Sequence, residues 1–321
     1  MSTFPGPPLP FRAFDYAQVD VFAEAPLAGN MLAIFTDARG LSSDEMQALA
    51  RETNLAETTF ILPRPPEIES ERGVHVRIFT TEEELQFAGH PTLGTASWLY
   101  WNHPVLRGAE TITLDLPVGP ISVRFGQQDP NKSGVFATMQ QRDPVFGSIH
   151  DPAAIATALG LSVDDLDLTL PIETVSTGMA FCIVPLRSME VAARLTIPQA
   201  SAQAYLDRSD AKFFHTITRA PQASGADWHA RMQFYNGEDP ATGSASGCTI
   251  AYLVRHGAAP SGHSIILEQG IEINRPSRIV VEASFAEADF DPKSGFSHQP
   301  LTKVFVAGRT IPVAMGRFFL P

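Results

Sequence analysis

From Phe14 onward, short apolar runs alternate with turn residues. Val19, Val21 and Phe22 predict a strand that enters a turn at Pro26 to Asn30, and Met31 to Phe35 predicts a second strand. Ser42-Ser43-Asp44-Glu45 reads as a capping box, in which the Glu45 amide donates to the Ser42 hydroxyl and the Glu45 side chain reaches back. Met46, Leu49 and Ala50 follow at helical spacing, and Asn54 is a stop signal. Leu55 to Leu62 is β-branched and aromatic, and Val74, Val76 and Ile78 alternate with polar partners, so both read as strands. After Gly89, the small apolar run Thr92 to Tyr100 predicts a helix with no polar face. Ile112, Leu114, Leu116 and Ile121, Val123, Phe125 predict a hairpin about Pro117-Val118-Gly119-Pro120. Asp129 to Gly134 is turn chemistry and a candidate boundary.

The second half repeats this grammar. HVRIF from His75 resembles HARMQF from His229, GNMLAIF from Gly29 resembles GMAFCIV from Gly178, and GTAS from Gly94 matches GSAS from Gly243. The three offsets are 154, 149 and 149 residues, in the same order, which argues for two similar lobes. Chance matching of short strings is the competing explanation. The reading is α+β: two pseudo-symmetric lobes, each a mostly antiparallel sheet wrapped around a central helix. Residues 1–11, with four prolines, are expected to be a tail. Residues 12–128 form the N-terminal lobe, with a strand at 304–321 able to return to it. Residues 129–303 form the C-terminal lobe, with an added loop near 287–303. Each central helix start offers free amides and a positive dipole end to an anion. If the two starts face each other, they make one site for a small carboxylate.

Charge narrows the partners. The 321 residues hold 23 Lys and Arg against 35 Asp and Glu, a net charge of −12 without a Lys/Arg run, so neither nucleic acid nor a membrane surface is an expected partner. No apolar stretch approaches membrane-spanning length, and the start MSTFPGPPLP lacks the features of a secretory signal. Cys182 and Cys248 stand far apart, which excludes a disulfide framework and fits a reducing, cytoplasmic location.

Three residues are candidates for chemistry. Glu57 lies in Asn54-Leu55-Ala56-Glu57-Thr58-Thr59-Phe60, an otherwise apolar and hydroxyl-bearing strand. Partial desolvation there would raise its pKa and let it take and return a proton near neutrality, although an edge-strand surface glutamate is the ordinary reading. His90, after Gly89 in FAGHPTLG, and Asp239, at the head of DPATGSASG, read singly as helix-entrance residues. The repeat places them in corresponding positions ahead of the two central helices and hence at one gap. Other motifs fail. Leu93-Gly94 stands where a phosphate loop needs Gly-Lys, GSASG misplaces its serine for a nucleophile elbow, and no GxGxxG or metal-ligand spacing occurs. No cofactor and no metal is expected.

The runs DVFAEAPLAGNMLAIF, NLAETTFIL, RIFTTEEELQFAGHPTLG, EDPATGSASG and EQGIEINRPS, in this order and spacing, closely resemble the PhzF family of phenazine biosynthesis-like isomerases from about Phe14 to the C-terminus. That resemblance implies the diaminopimelate epimerase-like fold, with the site between two lobes. It implies that Glu57 is the general acid/base that moves a proton between carbons of a small cyclic carboxylate, assisted by His90 and Asp239. Gly89, Gly243, Ser244 and Asn30 would bind the substrate, and the protein would be a homodimer. Epimerase and racemase relatives carry cysteines at the helix starts. Ala88 and the Asp239-Pro240-Ala241 turn stand there instead, so two-thiol racemisation is excluded, and Cys248 is expected in the core. Met31, Thr81 and Gln86-Phe87-Ala88 depart from the family pattern and leave the substrate open. A dehydratase or cyclase on another metabolite, or a family member that only binds a metabolite or protein, are the alternatives.

Overall fold

The computed structural model describes residues 11–221, 224–234, 237–286 and 301–321. Most of the expected tail and residues 287–300 of the expected loop therefore lie outside the described residues. In the first half, β1 (Arg12–Val21), β2 (Asn30–Phe35), β3 (Glu57–Leu62), β4 (Val74–Phe79) and its two-residue partner β5 (Glu84–Leu85) precede the central helix α3 (Gly89–Asn102). The hairpin β6 (Thr111–Leu116) and β7 (Gly119–Arg124) and then β8 (Val135–Gln140) come after it. The last strand, β18 (Leu301–Leu320), pairs antiparallel with both β8 and β1, so the order β1-β2-β3-β4-β6-β7-β8-β18 closes on itself. Closure removes the two end edges of this strand series, with the short β5 branching off β4.

The same sheet continues from β18 into the second lobe. Its path runs through β17 (Ser277–Phe285), β16 (Ile265–Gln269), β13 (Trp228–Arg231), β12 (Phe213–Arg219), β11 (Ala180–Pro185), β10 (Glu173–Ser176) and β9 (Val145–Ile149). It curves over α7 (Gly243–Arg255), which packs on β17, β18, β11 and β10. A second short hairpin, β14 (Gln233–Phe234) and β15 (Gly237–Glu238), precedes α7 as β5 precedes α3. The helices α1 (Ser43–Thr53), α2 (Pro66–Arg72), α4 (Pro152–Leu159), α5 (Met189–Arg194) and α6 (Gln199–Leu206) lie outside this central arrangement. No helix among the described residues is long and apolar enough to cross a membrane.

Pairing sense carries the pseudo-symmetry. From β1 to β8 the successive pairings run antiparallel, parallel, antiparallel, parallel, antiparallel, antiparallel. From β10 to β18 the same series recurs. Both central helices are apolar on every side, and α3 is buried from Gly89 through Leu99. Small residues let the sheet come close. A Cβ on Gly94 would lie 2.7 Å from Leu32 Cδ2 and 2.8 Å from Val21 Cγ2. At the seam, Phe22 adopts φ 60°, its carbonyl accepts from the Arg278 amide, and its ring fills the space against Gly243 and Gly308.

Sequence and structure agree on the capping box and on the left-handed Asn54 that ends α1. They differ at the repeat. The helix starts Gly89 and Gly243 are 154 residues apart, the offset of the β4 and β13 strings, so the GTAS/GSAS match is five residues out of register. The two strings are alike because both helices need small residues, but Gly94 and Gly243 meet different neighbours.

Candidate active site

The two helix starts meet. A Cβ added to Gly89 would lie 3.4 Å from the Ser244 amide nitrogen and 3.8 Å from Gly243 Cα. The N-caps are Ala88 and Thr242, and neither side chain caps its helix. The amides of Gly89, His90, Gly243, Ser244 and Ala245 thus have no intrahelical acceptor, and the two starts come together where Gly89 meets Gly243 and Ser244. This place opens into a cavity of about 1370 Å³ between the lobes, lined by Asn30, Glu57, Gly89, His90, Asp239, Gly243 and Ser244 among others. Every residue expected to bind or act on substrate lines the same cavity.

Glu57 is the first residue of β3, placed by the turn after Asn54, opposite Leu32 in the parallel ladder. Its Oε2 stands 3.4 Å from His90 Nε2, and neither atom has a hydrogen-bond partner within the protein. The Glu57 side chain is 17% exposed and that of His90 6%. Burial chiefly, and the nearby Asp239 carboxylate second, push the Glu57 pKa up to about 8. Burial also drives the His90 pKa down to about 3, against a hydrogen bond to the Met31 backbone, so the imidazole is neutral at ordinary pH. The pair therefore holds one titratable proton at neutrality, besides the ring N–H of the neutral imidazole. The titratable proton sits on Glu57.

Asn30 joins the lobes. Its Nδ2 donates to Asp239 Oδ1 at 2.7 Å and to the Ala241 carbonyl at 2.9 Å, and lies 3.3 Å from His90 Nδ1. The turn that ends at Asn30 is itself held by the second half, because Arg275 donates to the carbonyls of Ala28 and Gly29 and to buried Asp20. Asp239 also accepts from Thr242 Oγ1 at 2.6 Å, while Gln269 Nε2 donates to the Asp239 carbonyl and to Thr242 Oγ1. Burial raises the Asp239 pKa to about 6, against the lowering effect of the hydrogen bonds from Thr242, Asn30 and Ala241. Under α7, Gln141 donates to the Gly243 carbonyl, and a Cβ on Gly247 would lie 1.9 Å from its Oε1.

One expectation is corrected. His90 and Asp239 do share the cavity, but not as equivalents: His90 is the second residue of α3, whereas Asp239 stands four residues before α7. At the 154-residue offset Asp239 corresponds to Leu85 and His90 to Ser244, so the candidate residues are placed asymmetrically on a symmetric frame. The places facing each other at the helix starts are Ala88 and Thr242, not Ala88 and the turn at residues 239–241. Cys248 is buried in the core, and burial raises its thiol to about 11. Thr242, Gln269 and Gln141 carry no signal in the sequence, because their roles depend on contacts made across the fold. Among the described residues no group of three or more His, Cys, Asp or Glu side chains is placed to hold a metal ion.

Known proteins share the same outline. The family model described as phenazine biosynthesis-like protein matches residues 19–316. The trans-2,3-dihydro-3-hydroxyanthranilate isomerase of Pseudomonas aeruginosa is 35% identical over 312 residues, covering 95% of this chain and 99% of its own. A Bacillus anthracis phenazine biosynthesis protein of the PhzF family superimposes with a TM-score of 0.80 at 26% identity, over 96% of this chain and 100% of its own. A hydroxyproline epimerase from Agrobacterium vitis, at 12% identity, shares the fold with a TM-score of 0.62 over 96% of this chain and 93% of its own.

Proposed function

The chain belongs to the phenazine biosynthesis-like protein family and is an isomerase, and from that premise we propose that Glu57 moves a proton between two carbons of a small cyclic carboxylate without a cofactor. One observation carries this reading: a carboxyl oxygen with no hydrogen-bond partner, 3.4 Å from a neutral imidazole, at the cavity where two helix starts converge. The exposed amides of Gly89, Gly243 and Ser244 suit a substrate carboxylate. Ionised Glu57 takes a proton from a carbon made acidic by adjacent unsaturation, and the released electron pair moves through the conjugated system. Glu57, now a carboxylic acid, returns the proton at another carbon, so no atom is gained or lost. His90 accepts a hydrogen bond from the acid form, and Asp239, anchored by Asn30 and Thr242, tends the substrate's polar substituents.

The relatives' names make trans-2,3-dihydro-3-hydroxyanthranilate the first compound to offer. General acid/base transfer contributes about 10²–10⁴-fold to rate. Glu57→Gln keeps the shape and removes the proton carrier, so kcat should fall by about that factor. A Glu57→Gln enzyme with undiminished kcat would overturn the reading.

A further inference from the structure

Both lobes contain the same ion pair, and in the second lobe its carboxylate, Glu238, also lines the cavity. Arg77 donates from Nε and Nη2 to the two oxygens of Glu84, at 2.7 and 2.6 Å. Arg231 donates from the same two nitrogens to Glu238, at 2.8 and 2.6 Å. The pairs lie 154 residues apart; Arg77 is on β4, the outgoing strand of its hairpin, Arg231 ends β13 just before its hairpin, and each forks the glutamate on the return strand. Each arginine also reaches a helix outside the sheet. Arg77 donates to Ser43 Oγ on α1, and Arg231 donates to the Ala192 carbonyl on α5 and to that of Leu195, its C-cap residue.

The two pairs differ in burial and in the residue next along the chain. The Arg231 and Glu238 side chains are only 6% and 9% exposed, and those of Arg77 and Glu84 are 21% and 35%. Leu85 comes after Glu84, whereas Asp239 comes after Glu238. A buried bidentate pair fixes geometry more tightly than an exposed one. The Asp239 amide donates to the Met232 carbonyl, next to Arg231, so the fork and the aspartate are two points of one short hairpin. We propose that the Arg231–Glu238 pair is the positioning device for Asp239: it fixes the hairpin that brings this carboxyl to Asn30, and it cancels the charge Glu238 would otherwise hold beside it.

Among the described residues, few charged or titratable groups surround Asp239. Glu57 faces it from β3, and His90 reaches it from α3 through Asn30. Glu238 lies beside it, and behind Glu238 stand Arg231, Glu272 at 3.8 Å from the arginine, and His229, which is clamped between Glu268 and Glu272. Removing Glu238's charge takes an anion from beside Asp239 and leaves Arg231 facing only Glu272 at 3.8 Å, both of which favour ionised Asp239. Replacing the arginine by lysine loses the fork and leaves Glu238 less well neutralised, which disfavours it.

The proposal rests on Asp239 belonging to the site, and its test reads that carboxyl without any substrate, so it stands or falls separately from the Glu57→Gln kinetics. The carboxyls of the full chain are followed by carbon-13 NMR against pH in the wild type, Glu238→Gln, Arg231→Lys and Glu84→Gln. The Asp239 midpoint should fall by about one pH unit in Glu238→Gln. It should rise in Arg231→Lys and stay in place in Glu84→Gln, where the twin fork is broken. If either second-lobe variant fails to fold, the other decides the matter alone, because their expected shifts have opposite signs. An Asp239 midpoint unmoved in the second-lobe variants, or moved equally by Glu84→Gln, would overturn the proposal.

Discussion

Glu57 and His90 face each other at 3.4 Å, each offering one buried atom with no other protein partner, and burial shifts their pKa values in opposite directions, to about 8 and about 3. Those shifts set the working pH. Glu57 must be ionised to accept a proton, so kcat/KM should rise about tenfold per pH unit below 8 and level off above it. His90 stays neutral across that range. A stopped-flow pH profile that is flat from pH 6 to 9 would contradict this assignment.

The same shift has a stability consequence. Glu57 titrates near 4.5 when unfolded and near 8 when folded, so between these values the folded chain binds more protons than the unfolded one. Its contribution is thus fully present below pH 4.5 and is lost as pH rises through 8, with a slope of at most about 1.4 kcal/mol per pH unit. Glu57→Gln removes this penalty. Urea titrations at pH 5 and 8.5 should show the variant gaining on the wild type at the higher pH, by on the order of a few kcal/mol.

Asn30 is where the first lobe holds Asp239. Asn30→Ala leaves Asp239 Oδ1 buried without its 2.7 Å donor. Loss of that hydrogen bond should raise the Asp239 midpoint above 6 and cost about 1–3 kcal/mol of stability. Calorimetry measures the second quantity and NMR titration the first.

Gly247 gives a test of the floor beneath the second helix start. An alanine there would meet Gln141 Oε1 at 1.9 Å, and Gln141 is held by Thr177 and by the Gly243 carbonyl. Gly247→Ala should destabilise the protein by about 1–3 kcal/mol through overpacking. Gly257→Ala, with open space at its Cβ, should preserve the Gly243 environment, apart from the strain of its φ of 69°. Differential scanning calorimetry and the Gly243 amide shift distinguish the two.

Local signals were legible in the sequence, and long-range ones were not. The Ser42–Glu45 box is complete within four residues and is present as read. Alternation marked β4, β6 and β7 because each buries one face. The helix α2 (Pro66–Arg72) leaves no apolar period in the sequence, because it has no buried residue. The apolar run puts the start of α3 three residues late, since the N-cap Ala88 has no capping side chain to announce it. Glu57 was legible as a lone carboxyl in an apolar strand. For Asp239 the repeat suggests a symmetry with His90 that the fold does not have, because the repeated small-residue string reports helix packing and not helix register, and only the family resemblance marks the residue itself. Asn30's bridge to Asp239 spans 209 residues, a contact no local pattern records.

Two lobes bury Glu57 beside Asp239 and so raise its carboxyl into the range where it can both take and return a proton near neutrality, and the proton transfer depends on this above all. Carbon-13 NMR titration of the Glu57 carboxyl in the intact protein reads it directly. The midpoint should lie near 8, and it should drop in Asp239→Asn as the neighbouring charge disappears. A wild-type midpoint near the ordinary 4.5 would contradict it.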